Sequence, residues 1–368
     1  MRLRTFYGFG HWPVNSTNIG SYIDREMNAT GRMLSLWISG NEYTRFYRPA
    51  GTDLVTATNI SAGIYSDIFL YLARSDNNPP PTDPIKTVIG ARVRFVAPNS
   101  GTVPTNSIVS WGEDSRGTNY YEGSIQLLFL NDLPGRTAGS EYYVELVLDK
   151  VAKTITVYVD KQLIRTVSVT HADFSSGKGS IRYNMVTTGA TTYNHGPRAW
   201  GDIYVSDQVD AQDPFFVLGP QRVKTLPIGW VNAPEWGNGG ENVMSTFNGA
   251  LGPTNWARMY DTPLASPASE APVLYKVDTT GISNDDRVRG VAVHCRDYGA
   301  SGAVNYRRVT INDVVQQHLL MPNTVWQTTP VRILESLNDQ SWNYTRLSDA
   351  RIELRYVSQN QNDYENAL

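Results

Sequence analysis

Three carboxylates fall on one strand-like run, and they are the residues with the most chemistry to offer. In Glu141-Tyr-Tyr-Val-Glu145-Leu-Val-Leu-Asp149 an acid recurs at every fourth position. Successive side chains of an extended strand point to opposite faces, so Glu141, Glu145 and Asp149 share one face. Glycoside hydrolysis needs two carboxyl groups within about 5–9.5 Å of each other. Four residues at ~3.3 Å each hold neighbours roughly 13 Å apart. The spacing therefore predicts a solvated acidic face and no acid–base pair.

Other polar groups are as easily accounted for. Glu113-Asp114, Asn131-Asp132 and the pair Asp207 and Asp210 are acidic enough to consider for a hard cation, yet none has the dense ligand spacing such a site needs. They read as turn caps. The 5 histidines, His11, His171, His195, His294 and His318, form no HxH or HExxH pattern, which argues against zinc. The 1 cysteine, Cys295, lies in the alternating run Val291-Ala-Val-His-Cys295 and reads as a small buried hydrophobe. One cysteine allows no intramolecular disulfide and no Cys-based metal site. No phosphate-cradling glycine loop or GxSxG elbow occurs. The expectation is a protein that is not an enzyme, with no catalytic residue, no cofactor and no bound metal.

Contacts are a different matter. Tyr120-Tyr121 sits in a polar loop, and Trp230, Trp236 and Trp256 sit in Pro/Gly-rich sequence. Such rings offer flat apolar area at low entropic cost and are enriched at interfaces. The tryptophans are expected to fill the seam between two domains, and Tyr120 and Tyr121 are the outward candidates.

The elements that position these residues are strands. From Glu141 to Val169, Val144, Leu146 and Leu148 alternate with Tyr143, Glu145 and Val147, and Ile155, Val157 and Val159 alternate with Thr154, Thr156 and Tyr158. Hairpin-length polar connections join the runs, so the stretch reads as a three-stranded meander that needs an opposing sheet. Further strands are expected at Met33–Ile38, Ile64–Leu72, Val88–Ala97, Ser107–Trp111, Ser124–Leu130, Ile181–Val186 and Gly201–Val205, with Asn77-Asn-Pro-Pro-Pro81 as an intervening loop. Short strands at regular spacing between turn signals predict a β-sandwich.

Past Val205 the texture changes. Gln208 to Trp236 carries Pro214, Pro220, Pro227 and Pro234, which rules out a central strand and predicts a semi-rigid connector lying along the first domain. A loop rich in Asn, Gly and Pro follows to Ala271. Strands resume at Val273–Val277, Arg287–Cys295, Val304–Ile311, Val314–Leu320, Val331–Leu334 and Arg351–Val357. Around Asn312-Asp313 the choice is between strand–turn–strand and one amphipathic helix. The turn-forming pair between β-branched residues favours the former. The division is 1–207, a sandwich; 208–236, the connector; and 237–368, a smaller C-terminal β-sandwich.

The meander resembles the laminin-G/concanavalin-A-like jelly-roll family, in which a strand of the type hxVElxhD precedes hxVYVDG. Here the positions read Tyr143-Val-Glu-Leu146 and Val157-Tyr-Val-Asp160-Lys161. Lys161 stands where the family has glycine. A left-handed residue other than glycine costs about 1 kcal/mol, so a different turn type is expected. Enzymes of this fold present Glu-x-Asp-x-x-Glu on a strand, a spacing absent here. The junction Gly201-Asp-Ile-Tyr-Val-Ser-Asp207, followed by Phe216-Val-Leu-Gly-Pro-Gln-Arg222-Val-Lys-Thr-Leu-Pro227, is similar to a pattern recurrent in tailed-bacteriophage virion proteins. There DDIYVxD closes the jelly roll, and FLGxxRVxTLxP leads into a second β domain. Ser341-Trp342 before Leu347-Ser-Asp-Ala350 agrees in outline.

That resemblance implies a surface-exposed, non-catalytic structural component of a phage particle, on the tail, baseplate or collar or decorating the capsid. Its partners would be other virion proteins, and it would form a homo-oligomer, trimeric by analogy. The alternative is an adhesin that recognises host-surface glycans. Composition excludes other classes. A net charge of −3 without a Lys/Arg run argues against nucleic acid as a partner. No apolar stretch approaches the ~20 residues of a membrane span, and the start of the chain lacks the apolar core of a signal peptide. Synthesis in the host cytoplasm, followed by assembly into the virion, is the expectation.

Overall fold

The computed structural model describes residues 2–9, 35–39, 44–49, 52–59, 65–72, 85–96, 107–112, 125–135, 137–175, 177, 179–189, 193–194, 198–208, 210–212, 215–224, 226, 228–232, 273–291, 293–297, 305–312, 314–320, 327–330, 336–337 and 340–358. The chain divides into two compact units, Met1–Thr225 and Leu226–Leu368. The first contains β1 (Arg2–Tyr7), β2 (Ser35–Ser39), β3 (Thr44–Tyr47), β4 (Thr56–Asn59), β5 (Tyr65–Tyr71), β6 (Lys86–Phe95) and β7 (Ser107–Gly112). It continues through β8 (Ile125–Phe129), β9 (Glu141–Asp149), β10 (Thr154–Val159), β11 (Gln162–Ser168), β12 (Ser180–Gly189), β13 (Tyr193–Asn194) and β14 (Arg198–Gln208).

Two main sheets form the first unit, one in the order β1-β14-β6-β9-β10-β11 and the other β2-β5-β12-β7-β8 with β13 beside β12, while β3 pairs β4 separately. Chain neighbours are mostly not sheet neighbours, which is the crossover pattern of a jelly roll. The fold is an all-β jelly-roll sandwich followed by a smaller β unit. The period-two pattern explains its core: Val144, Leu146 and Leu148 of β9 and Ile155 and Val157 of β10 point inward with Ile89, Ala91, Val93 and Phe95 of β6. The second sheet supplies Ile68, Leu70, Val109, Trp111, Ile181 and Tyr183. Tyr183 and Trp200 meet between the sheets at 4.9 Å.

The meander is β9, β10 and β11 at one edge of the first sheet. Its second turn corrects the expectation that Lys161 imposes a different geometry. Asp160 and Lys161 both adopt left-handed backbone, φ 48° and 69°, between directly paired Val159 and Gln162. This is the two-residue turn whose twist matches a hairpin. Asp160 offsets part of the strain, because its Oδ1 accepts the Tyr143 N–H at 2.9 Å.

The second unit contains β15 (Ile228–Asn232), β16 (Val273–Val277), β17 (His294–Asp297), β18 (Asn305–Ile311), β19 (Val314–Leu320), β20 (Gln327–Pro330), β21 (Ser336–Leu337), β22 (Gln340–Ser341) and β23 (Arg351–Ser358). Its main sheet runs β15-β16-β23-β18-β19, while β17 pairs β20 and β21 pairs β22. Strand–turn–strand is the outcome at β18–β19. Asn312 turns at φ 48° and exchanges bonds with Arg351, donating N–H to its carbonyl and accepting its N–H on Oδ1 at 2.8 Å. Among the described residues of the expected strand Arg287–Cys295, only His294 and Cys295 lie in one; Arg287 to Gly290 is irregular, in a stretch where Asp285, Asp286 and Arg287 are exposed. Ile228–Asn232, inside the expected connector, is an edge strand, where prolines at its margins are tolerated. The short helix Tyr344–Ser348 is capped by Asn343, whose Oδ1 accepts the Arg346 N–H, and it buries Leu347 beside buried Trp342 and Ala350. No described helix is long and apolar enough to cross a membrane.

Candidate functional site

The acidic face of β9 is covered at Glu145 and half-buried at Glu141 and Asp149, which corrects the expectation of a solvated strand face. Glu145 and Tyr143 lie opposite Gly90 and Arg92 of β6, and Tyr204 of β14 lies across Gly90 on the other side. Val88, Tyr143, Val147 and Tyr204 form an apolar patch on this outer face. The segment 215–224 crosses it as an extended strap, packing Phe215, Val217 and Leu218 onto the patch. Tyr143 and Tyr204 stack with ring centroids 6.4 Å apart. They leave no room over Gly90, where a Cβ would stand 2.1 Å from Tyr204 Cε1.

Two backbone N–H groups latch the strap to carboxylates. Gly219 donates to Glu145 Oε1 at 2.9 Å, and the same oxygen accepts the Tyr204 hydroxyl at 2.5 Å. Val223 donates to Asp202 Oδ1 at 2.9 Å. Asp202 stands at a bulge of β14 with φ 48°, and Oδ2 is 2.6 Å from Arg92 Nε and 3.6 Å from Arg222 Nη1. Its backbone carbonyl accepts the Tyr143 hydroxyl at 3.1 Å. Burial pushes the Asp202 carboxyl up to about 6, against the pull of Arg92 and the Val223 N–H. Burial also drives the Tyr143 hydroxyl well above its usual range, helped by neighbouring Tyr204, Glu145 and Asp202.

The other two acids of the strand are engaged as well. Glu141 faces Arg92, Arg94 and Arg222. Asp149 pairs with Lys86 at 3.0 Å and accepts the Ala152 N–H at 2.9 Å; these bonds outweigh burial and hold its carboxyl low. Each acid of the β9 face thus has a structural partner, and no two are juxtaposed for proton transfer.

A second polar cluster lies on the face of the other sheet that points away from its core. Asp67 of β5 accepts from Arg182 Nη2 at 2.7 Å and Asn184 Nδ2 at 2.9 Å, both on β12. The Arg182 guanidinium sits 5.8 Å from the Phe69 ring. Fully buried Arg198 donates to both the carbonyl and the side-chain oxygen of Asn184. Burial lifts the Asp67 carboxyl against its cationic neighbours and lowers Arg198 to about 10, which leaves it charged at neutral pH. Arg182, with its side chain 14% exposed, is the member that reaches solvent.

The contact residues singled out from sequence divide simply. Trp230 lies in β15 opposite Tyr275, while Tyr120, Tyr121, Trp236 and Trp256 lie outside the described residues. Of the acidic turns, Asp132 accepts the Phe129 N–H and pairs with Arg165, and Asp210 accepts the Gln212 N–H. Asp207 accepts the Thr87 hydroxyl at 2.7 Å, and Glu113-Asp114 lies outside the described residues. Among the described residues no group of three or more His, Cys, Asp or Glu could hold a metal ion. Sequence reasoning missed Arg92, Arg94, Arg182 and Arg198. A signal was present for Arg92 and Arg94, since β6 carries them inside an otherwise apolar strand.

No protein-family model matches the chain, and no curated protein matches it. Among solved structures it is similar to lectin II from Ulex europaeus, with 9% identity, a TM-score of 0.28, and 47% of this chain and 92% of the lectin covered. It is similar to the receptor-binding domain of botulinum neurotoxin D at 9% identity and TM-score 0.29, covering 48% and 45%. A sialidase is similar at 12% identity and TM-score 0.28, covering 47% and 17%. The chain thus spans less than half the length of the sialidase and toxin chains. At these TM-scores the likenesses say nothing of ligand or activity.

Proposed function

We propose that this chain is a non-catalytic, surface-exposed structural protein of a tailed-phage particle, with its N-terminal sandwich as a mounted recognition module. The observation that carries this reading is the latch. Asp202, Tyr204, Gly219, Arg222 and Val223, all within the stretches that resemble phage virion proteins, are the residues that tie the strap to the sheet. The pattern has a physical task, which is to hold the chain at a set place on the sandwich just before the second unit begins at Leu226. The engagement of Glu141, Glu145 and Asp149 in structural bonds supports a role without hydrolysis. On this reading the protein joins other virion proteins and itself, as a homo-oligomer that is trimeric by analogy, after synthesis in the host cytoplasm. Mass spectrometry of purified particles tests it: peptides of this chain at structural abundance are expected, and their absence would remove the reading.

A second reading, recognition of host-surface glycans, is favoured by the Asp67–Arg182–Asn184 cluster. Asp67, Phe69 and Asn184 are themselves buried, so what they present is Arg182, a fixed donor of the kind that orients hydroxyl-rich ligands, and Gln126 stands exposed two strands away on the same face. The two readings are compatible. A glycan array is expected to show binding that Arg182→Gln weakens with folding intact. Failure of a folded protein to retain any glycan at millimolar concentration would remove this second reading alone.

A further inference from the structure

At one end of the latch three guanidinium groups converge on a single carboxylate. Arg92 Nη1 and Arg94 Nη1 each lie 3.4 Å from Glu141, and Arg222 Nη2 lies 3.2 Å from it. Arg92 and Arg222 also face Asp202, so three cations meet two anions. These contacts to Glu141 are longer than the ~2.7–2.9 Å of close charge-assisted bonds. Each guanidinium carries five N–H donors, more than two oxygens of Glu141 can engage. The site is half open: the side chains of Arg222, Arg94 and Glu141 are 50%, 35% and 29% exposed, and that of Arg92 is 12% exposed. Two backbone segments hold the arginines: β6, with Arg92 and Arg94 at adjacent outward positions, and the strap, with Arg222. Glu141 enters directly opposite Arg94.

We propose that Glu141 is the resident stand-in for an oxyanion, and that Arg92, Arg94 and Arg222 form a binding site for a phosphate or sulfate ester carried on a polysaccharide. An ester group presents three peripheral oxygens, one for each converging guanidinium, in the fork geometry that arginine matches. Convergence on one point fits a compact oxyanion better than the spaced carboxylates of an acidic protein segment. Glu141 turns out to solvent as the ester enters, and Arg92 keeps its pairing with Asp202. The site lies on the first sheet, apart from the Asp67 cluster on the second. It rests on the carbohydrate reading only for the carrier of the ester.

The test is calorimetric titration of the full chain with inorganic sulfate, inorganic phosphate, dextran sulfate, neutral dextran and poly-glutamate. Saturable binding of the inorganic anions is expected, with dextran sulfate tighter and neutral dextran silent. Arg94→Gln and Arg222→Gln should each weaken binding about tenfold. Glu141→Gln should tighten it by removing the competitor, an effect that a purely structural ion-pair lattice does not produce. If Arg222→Gln loses the strap and unfolds, Arg94→Gln, on a paired strand, decides the matter. Absence of saturable anion binding in both wild type and Glu141→Gln overturns the site, as does binding indifferent to the arginine variants. Inorganic anions bound without dextran sulfate, or poly-glutamate preferred over it, overturns the saccharide carrier while leaving the glycan-array result for neutral sugars untouched.

Discussion

Replacing Glu145 by alanine removes the acceptor on which the strap depends. In the wild type a single oxygen of this fully buried carboxylate accepts both the Tyr204 hydroxyl and the Gly219 N–H. Alanine leaves both donors buried without that acceptor. Each stranded donor costs about 1–3 kcal/mol, so the pair should cost roughly 2–6 kcal/mol. The strap has no ladder of its own and relaxes more easily than a strand, which places the expected loss in the lower half of that range. Glutamine keeps an acceptor oxygen in the same place and should cost about 1 kcal/mol, the order of one ordinary hydrogen bond. Hydrogen–deuterium exchange of peptides covering 215–224 reads the effect locally. Loss of 2 kcal/mol in opening free energy corresponds to about 30-fold faster exchange. The reasoning is refuted if alanine leaves strap exchange within about 3-fold of wild type, or if glutamine proves as damaging as alanine.

Three further perturbations test the same physics. Asp202, with its carboxyl raised from 3.8 to about 6 by burial, contributes stability that is complete below 3.8 and lost as pH rises through about 6. Lowering the pH from 7.5 to 5 should therefore favour the wild type relative to Asp202→Asn, by no more than about 1.4 kcal/mol in urea denaturation, and a difference of opposite sign would contradict the assignment. Gly219→Ala places a Cβ 1.9 Å from Lys161 Cε at φ +73°; a loss of about 1–2 kcal/mol is expected, partly recovered by adding Lys161→Ala in a double-mutant cycle. Asp67→Asn leaves Arg182 and Arg198 without their shared carboxylate and should cost about 3–5 kcal/mol, measured by chemical denaturation; a neutral result would mean that the cluster is not the tightly coupled unit its geometry implies.

Much of the scaffold was readable because strand alternation is a local signal. Val144, Leu146, Ile155 and Val157 announce their own inward face, and Asn312 announces its turn. What covers the opposite face is a non-local fact. The same alternation placed Glu145 with Glu141 and Asp149 on one side, but only the return of residues 215–224, about 75 positions later in the chain, makes that side dry around Glu145 and Tyr143. The junction was conspicuous as a pattern, though its meaning as a latch required Gly219 and Val223 to be seen against Glu145 and Asp202. Lys161 misled because propensity disfavours a left-handed lysine, whereas pairing on both sides and the Asp160 side chain hold the turn. Arg198 was invisible for the converse reason: nothing in Arg198-Ala-Trp200 marks an arginine that is sealed inside and bonded to Asn184.

The most direct measurement of the central claim is quantitative mass spectrometry of gradient-purified phage particles made by the host in which this chain is expressed. Peptides from both units should be recovered at a fixed ratio to a major capsid or tail protein, and that ratio should survive high-salt washing. Complete absence from intact particles, with the soluble protein abundant in the same lysate, would contradict it.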